Sequence, residues 1–210
     1  MTPTHAYIDA SISTRKPGDL IFPTDYRGKG TEDAIKKALS RLAAKGKLTR
    51  LAHGIYFVPK IDPMFGAIYP AADEVANMIA KKEKVRIKPA GAYALHQLGL
   101  TTQVPTRLVY ITDGVSRNLK VGKTNIKFKA TSNKKLSTKG KISGLLIQAL
   151  EELDIDKMDT RTESKISELL KKEKPRMLKH DLGIAPARIN DYIVKLLKRE
   201  NNDRLAEINQ

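Results

Sequence analysis

The side chains in this sequence with the types and spacing to do chemistry are mostly cations, and the chemistry they suit is the capture of a polyanion. Lys29 and Thr31 close the turn Arg27-Gly28-Lys29-Gly30-Thr31. Lys36, Lys37, Ser40 and Arg41 recur at helical spacing just beyond it, and Lys47, Arg50 and His53 occupy the short run that follows. Ammonium and guanidinium groups make charge-assisted hydrogen bonds to phosphate, and on one helix they also reach base edges in the major groove. These nine residues are the candidate DNA contacts.

Catalytic groupings fare less well. The four histidines, His5, His53, His96 and His180, are far apart, and none forms an i, i+4 pair or a familiar metal spacing with a carboxylate. There is no cysteine, which removes thiolate zinc sites and disulfides without fixing the compartment. Asp113, at the end of a predicted strand with Lys127 and Lys129 on another, is the one arrangement that invites a nuclease reading. An Asp-Gly turn explains it more simply. RGKGT resembles a phosphate loop only loosely, because a Walker motif needs four residues between its first Gly and a Gly-Lys-Ser/Thr run. The expectation is a protein that is not an enzyme, with no cofactor and no metal.

The element that must carry the cations is Thr31 to Pro59, TEDAIKKALSRLAAKGKLTRLAHGIYFVP. Thr31 can cap a helix whose first turn holds Glu32 and Asp33, where the dipole favours negative charge. Ile35, Ala38, Leu39 and Leu42 form one apolar stripe, and Gly46 sits where a left-handed stop is expected. Two short strands follow, Lys47 to Leu51 and Ile55 to Val58, joined at Ala52-His53-Gly54 and closed by Pro59. A basic helix running straight into a basic hairpin is the layout of a winged helix-turn-helix.

Composition agrees with an anionic partner. The 210 residues carry 39 Lys plus Arg against 23 Asp plus Glu, a net charge of +16, which favours nucleic acid through steering and counterion release. Residues 1–60 hold 11 basic and 5 acidic side chains, residues 61–135 hold 13 and 5, and residues 136–210 hold 15 and 13. The excess therefore belongs to the first two thirds. No run approaches the ~20 apolar residues that span a bilayer, so no membrane partner and a cytoplasmic location are expected.

In order along the chain, residues 4–14 predict a first helix with Tyr7, Ile8 and Ile12 inward, and Pro23 to Tyr26 the start of a second. Ile61 to Tyr69 reads as a linker. Helices over Pro70–Lys82 and Ala90–Leu98, strands over Val85–Ile87 and Arg107–Thr112, and a hairpin around Gly122-Lys123 make a small α+β module. Lys134 to Lys141 reads as an exposed loop. Ile142–Leu153, Thr160–Lys171 with Thr162 as cap, a helix from Pro175, and Pro186–Arg199 are helical, with a polar tail after Glu200. The fold class is α+β, divided into a winged-helix domain over 1–60, an α+β domain over 66–153 and a helical region over 154–210. Two more basic groups, Lys81, Lys82, Lys84, Arg86 and Lys88 in one and Arg117, Lys120, Lys123, Lys127 and Lys129 in the other, either extend a nucleic-acid footprint or form a solvated surface.

ALSRLAAKGKLTRLAHGIYFVPK, followed by KPAGAYALHQLGLTTQVP and VYITDG, resembles the AbiEi-like antitoxin regulators of bacterial type IV toxin–antitoxin systems, over about residues 15–150. That resemblance implies a bacterial repressor whose winged helix binds inverted repeats in its own promoter, a homodimer being one way to occupy them. It also implies that 66–153 is antitoxin-like, countering a toxin encoded nearby without a stable complex. Two other classes stay open: an enzyme that processes nucleic acid through the α+β module, and a basic module that meets an acidic protein.

Overall fold

The computed structural model describes residues 3–68, 70–121 and 123–208, with the backbone alone for 67 and 200–208. The protein is α+β, and its chain groups into two compact units, Met1–Ile79 with Asn118–Ile126, and Ala80–Arg117 with Lys127–Gln210.

The first unit opens with helix α1, Pro3–Ser13, strand β1, Leu20–Ile21, and a single 3-10 turn, Pro23–Tyr26. Helix α2, Glu32–Ala44, leads into strands β2, Thr49–Ala52, and β3, Ile55–Phe57. β1 lies antiparallel beside β3, which lies beside β2. Two helices and a 3-10 turn beside a three-stranded sheet in the order β1-β3-β2 follow the element order expected for a winged helix-turn-helix. The apolar stripe of α2 is buried as its periodicity predicts: Ile35, Ala38, Leu39 and Leu42 meet Ile8 and Ile12 of α1, Ile21 of β1 and Tyr56 of β3. Fully burying a side chain of that size stabilises by about 1.5–3 kcal/mol, so this stripe is what holds α2 to the domain. Tyr7 is the exception in α1, nearly half exposed rather than inward.

The helix ends follow their signals. Thr31 Oγ1 accepts from the backbone N–H of Ala34 at 3.3 Å, and Gly46 has φ +75° just past the last turn. Gly30, before the cap, has φ +150°, and a Cβ there would run into the Thr4 side chain. Gly30→Ala is therefore expected to lower the melting temperature, because both backbone and α1 must yield. Gly28→Ala, with φ +84° but open space around it, should cost only the backbone strain, on the order of 1 kcal/mol. A larger loss from Gly28→Ala would refute this account of the turn.

The stretch from Ile61, expected to be linker, instead lies in a hairpin of β4, Lys60–Asp62, and β5, Gly66–Ile68. Proline and glycine here are turn residues between two strands rather than breaks in the chain. The expectation for Tyr69 falls outside the described residues. Helix α3, Ala72–Glu83, comes next.

The second unit contains strand β6, Ile87–Ala90, helix α4, Gly91–Gln97, and strand β7, Arg107–Thr112. Strands β8, Arg117–Val121, and β9, Thr124–Ala130, whose residues 118–126 group with the first unit, belong to the four-stranded sheet of order β6-β7-β9-β8. Gly122, at the expected hairpin turn, is outside the described residues. The expected loop over 134–141 holds a short helix α5, Asn133–Leu136, whose Leu136 is buried against Ala90 and Ile111. Four helices follow: α6, Lys141–Leu150, α7, Thr160–Lys171, α8, Pro175–Ile184, and α9, Ala187–Ile208. α7 is capped by Asp159, which accepts from the N–H and the hydroxyl of the expected cap, Thr162. No Pro or Gly interrupts the sequence after Arg199, and the last helix runs past Glu200 to Ile208.

Leu146, Ile147 and Leu150 of α6 share one core with Ile166, Leu170, Ile189 and Ile193. The boundary drawn at 153 therefore cuts through a single packed cluster, and 154–210 is not a separate region. No helix among the described residues is long and apolar enough to cross a membrane.

Candidate nucleic-acid interface

With its apolar stripe spent on the core, α2 turns the opposite face outward. Asp33, Lys36, Lys37, Ser40 and Arg41 are all exposed there. Glu32 Oε1 holds Lys36 Nζ at 2.5 Å in an i, i+4 pair. That hydrogen bond raises the Lys36 pKa and lowers that of Glu32. A phosphate must compete with Glu32 for Lys36, whereas Lys37, Ser40 and Arg41 lie along the outer face one turn apart, where i, i+3 and i, i+4 neighbours meet.

The hairpin after α2 pairs Thr49 with Phe57 and Arg50 with Tyr56, then shifts register before Ala52 pairs with Ile55. The extra residue, Leu51, is buried, and the bulge brings Arg50 over the turn. Arg50 Nε donates to the Ala52 carbonyl at 3.3 Å, and its Nη2 lies 3.2 Å from His53 Nδ1. Arginine can only donate, so in this contact Nδ1 accepts and a neutral His53 carries its proton on Nε2. The exposed wing tip thus offers a guanidinium and an imidazole N–H together, both suited to a phosphate oxygen.

Not every candidate faces this way. Lys47 precedes β2 rather than lying within it, and its Nζ binds Asp9 Oδ1 of α1 at 2.5 Å. That hydrogen bond holds the Asp9 carboxyl below its ordinary range. Because α1 covers the buried side of α2, Lys47 is drawn away from the outer face and drops out of the wing. Lys29 stacks over the Tyr7 ring, 4.8 Å from its centroid, which positions its ammonium at the turn before α2. Thr31 spends its oxygen on the cap. Arg27 was not among the candidates, yet it is exposed beside Thr24, Gly28, Gly30 and Glu32 around a shallow pocket at the start of α2. Its place in the RGKG turn was the signal available for it.

Three of the ten outlying cations, Arg86, Lys88 and Arg117, are engaged within the second unit. Arg86 binds Asp113 through its N–H at 2.7 Å and its Nε at 2.8 Å, and reaches Asn133 with Nη2. Arg86 holds the Asp113 carboxyl below the usual aspartate range, so Asp113 is an ion-pair partner that ties the turn after β7 to the start of β6. Arg117 forms a bidentate pair with Glu83, both bonds 2.7 Å. Lys88 donates to the carbonyl and hydroxyl of Thr138, and burial pushes its ammonium pKa down against the pull of Asp181.

A serine, an aspartate and a histidine also meet in the second unit. Ser143 Oγ donates to Asp181 Oδ2 at 2.7 Å, and His180 Nδ1 lies 2.9 Å from Oδ1. The hydroxyl therefore hydrogen-bonds to the carboxylate rather than to an imidazole base, and Ser143 is wholly buried. A nucleophile needs the base and an open approach; this cluster caps a helix instead.

A family model described as a family of unknown function, DUF6088, matches residues 7–178. No curated protein matches the chain.

Proposed function

We propose that this chain, which belongs to the DUF6088 family of unknown function, is a DNA-binding transcriptional regulator that represses its own promoter. The observation that supports this most is the division of α2 into a buried apolar stripe and an exposed face of Lys37, Ser40 and Arg41, next to a wing tip carrying Arg50 and His53. On this reading α2 enters the major groove and the wing lies along the backbone. Lys29 and Arg27 meet phosphates at the start of α2. The net charge of +16 supplies attraction independent of base sequence.

The resemblance to AbiEi-like regulators extends the proposal to an antitoxin-like repressor acting in a bacterial cytoplasm. Its operator is an inverted repeat, and two recognition helices about 34 Å apart would fit successive major grooves. A toxin encoded by a neighbouring gene would be countered without a stable complex. No cofactor or metal is part of this reading.

Binding of the purified chain to its own upstream DNA and to a scrambled duplex, over a salt series, tests it. The expected result is tight binding to the native sequence with a steep salt slope, and binding to the scrambled duplex weaker by on the order of 10³-fold or more. Equal affinity for both duplexes would refute regulation by sequence recognition.

A further inference from the structure

The hairpin of β4 and β5 is built in an unusual way. Its two strands pair only with each other, and among the described residues no other element packs broadly on it. The side chains it displays are nonetheless apolar: Ile61 is 74% exposed, Met64 85% and Phe65 81%. An isolated two-stranded hairpin is marginal in water, and this one is held by its turn. Asp62 pairs with Gly66 across a three-residue loop of Pro63, Met64 and Phe65. Asp62 Oδ1 accepts from the N–H of Met64 at 2.8 Å and of Phe65 at 3.0 Å. Pro63 fixes its own φ, and Gly66 closes the loop at φ +73°. The result is a narrow arm with a preorganised apolar tip.

We propose that this arm is a DNA wedge: Met64 and Phe65 enter the minor groove and part a stacked base step, kinking the operator beside the winged helix. This rests on the reading of the chain as a DNA-binding regulator. Three observations select duplex DNA over a second copy of the chain. A stable protein interface needs about 800 Å² from each partner, far more than the tip of two three-residue strands can supply. A wedge needs little area, because the charged surface supplies the affinity. The arm also begins three residues after β3 ends, at the wing. Three paired residues at about 3.3 Å each reach ~10 Å, enough for a minor groove about 7.5 Å deep. Finally, Pro, Met and Phe are among the apolar residues that unstack bases in this manner.

Fluorescence resonance energy transfer between dyes at the two ends of the native upstream duplex reads the kink directly. The full chain is expected to shorten the end-to-end distance, consistent with a bend on the order of 20–90°. Met64→Ala/Phe65→Ala should still bind the duplex through the winged helix but leave it unbent, and Phe65→Leu should keep most of the bend. Both tip residues are solvent-exposed, so matching thermal melts should accompany the loss. A chain that prefers its native duplex while bending it equally with and without the tip would overturn the wedge and leave the regulator reading standing. Loss of native-sequence preference in the wild type would overturn both. A drop in solution mass of the double-alanine variant from dimer to monomer would overturn the wedge in favour of self-association.

Discussion

Asp181→Ala is expected to lower the melting temperature of the protein by on the order of 10 °C. Asp181 is completely buried, and four donors converge on it: the N–H groups of Lys139 and Gly140 at 2.7 and 2.9 Å, Ser143 Oγ, and His180. Glu173 stands beside it, with Oε2 accepting the N–H groups of Ile142 and Ser143 at 2.8 and 3.1 Å. The two carboxylates satisfy the backbone donors at the start of α6, whose own N-cap, Gly140, has no side chain to do so. Alanine at 181 orphans two buried donors, the Gly140 N–H and Ser143 Oγ, at about 1–3 kcal/mol each, a total on the order of 2–6 kcal/mol. A chain of this size loses about 2–4 °C per kcal/mol. Asn should be milder, since its oxygen can serve one side of the network while its NH₂ opposes donors on the other. A melt of Asp181→Ala within 2 °C of wild type would show that α6 is held by its apolar core alone.

The same residues set the response to acid. Burial pushes the pKa of Asp181 up, but hydrogen bonds from His180, Ser143, Lys139 and Gly140 outweigh it and hold the carboxyl below its ordinary value. Burial likewise opposes, and the Ser143, Ile142 and Lys174 N–H groups prevail, at Glu173. A carboxylate with a depressed folded pKa contributes stability that is fully present above its unfolded pKa, about 4, and lost as pH falls through the folded value. Wild-type stability should thus hold from neutral pH down to about 5 and decline below 4. Asp181→Asn should start lower and fall less steeply.

None of that network was legible in the sequence, and the reason is physical. Asp181 lies 38 residues beyond Ser143, and a long-range side-chain cap leaves no local signature. What could be read was local. Thr31, the apolar stripe of α2 and Gly46 gave that helix both ends and its buried side, because capping and periodicity act within a turn or two. Asp62, Pro63 and Gly66 failed as a signal since the same residues mark a linker and a tight hairpin, and only the pairing of Ile61 with Ala67 separates the two. The candidate interface shows the same division. Lys37 and Arg41 follow from helical spacing, whereas Lys47 depends on Asp9, 38 residues earlier, and the spacing cannot reveal that partner.

That contrast between Lys37 and Lys47 gives the second large expected effect. Lys37→Ala/Arg41→Ala should weaken binding to the native upstream duplex by roughly 10²-fold or more. A good bidentate base contact discriminates by about 1–3 kcal/mol, and 1.4 kcal/mol is tenfold. If Lys37 meets a phosphate instead, its loss should lower the slope of log K against log salt by about 0.9 and weaken all sequences alike. If it meets guanine, the slope should hold while one base preference relaxes. Lys47→Ala removes an equal formal charge, yet should leave slope and preference near wild type, because its ammonium is already neutralised by Asp9 on the side of the domain that α1 covers. Glu32→Gln works in the opposite sense: it releases Lys36, and should tighten binding to every duplex at low salt. Measured side by side across a salt series, Lys37→Ala, Lys37→Ala/Arg41→Ala, Lys47→Ala and Glu32→Gln separate an oriented face from a merely basic domain. A basic domain would register Lys37 and Lys47 equally, since distant charge counts only in sum. An oriented one must rank them, and its ranking is set by which side of α2 the apolar stripe has already used.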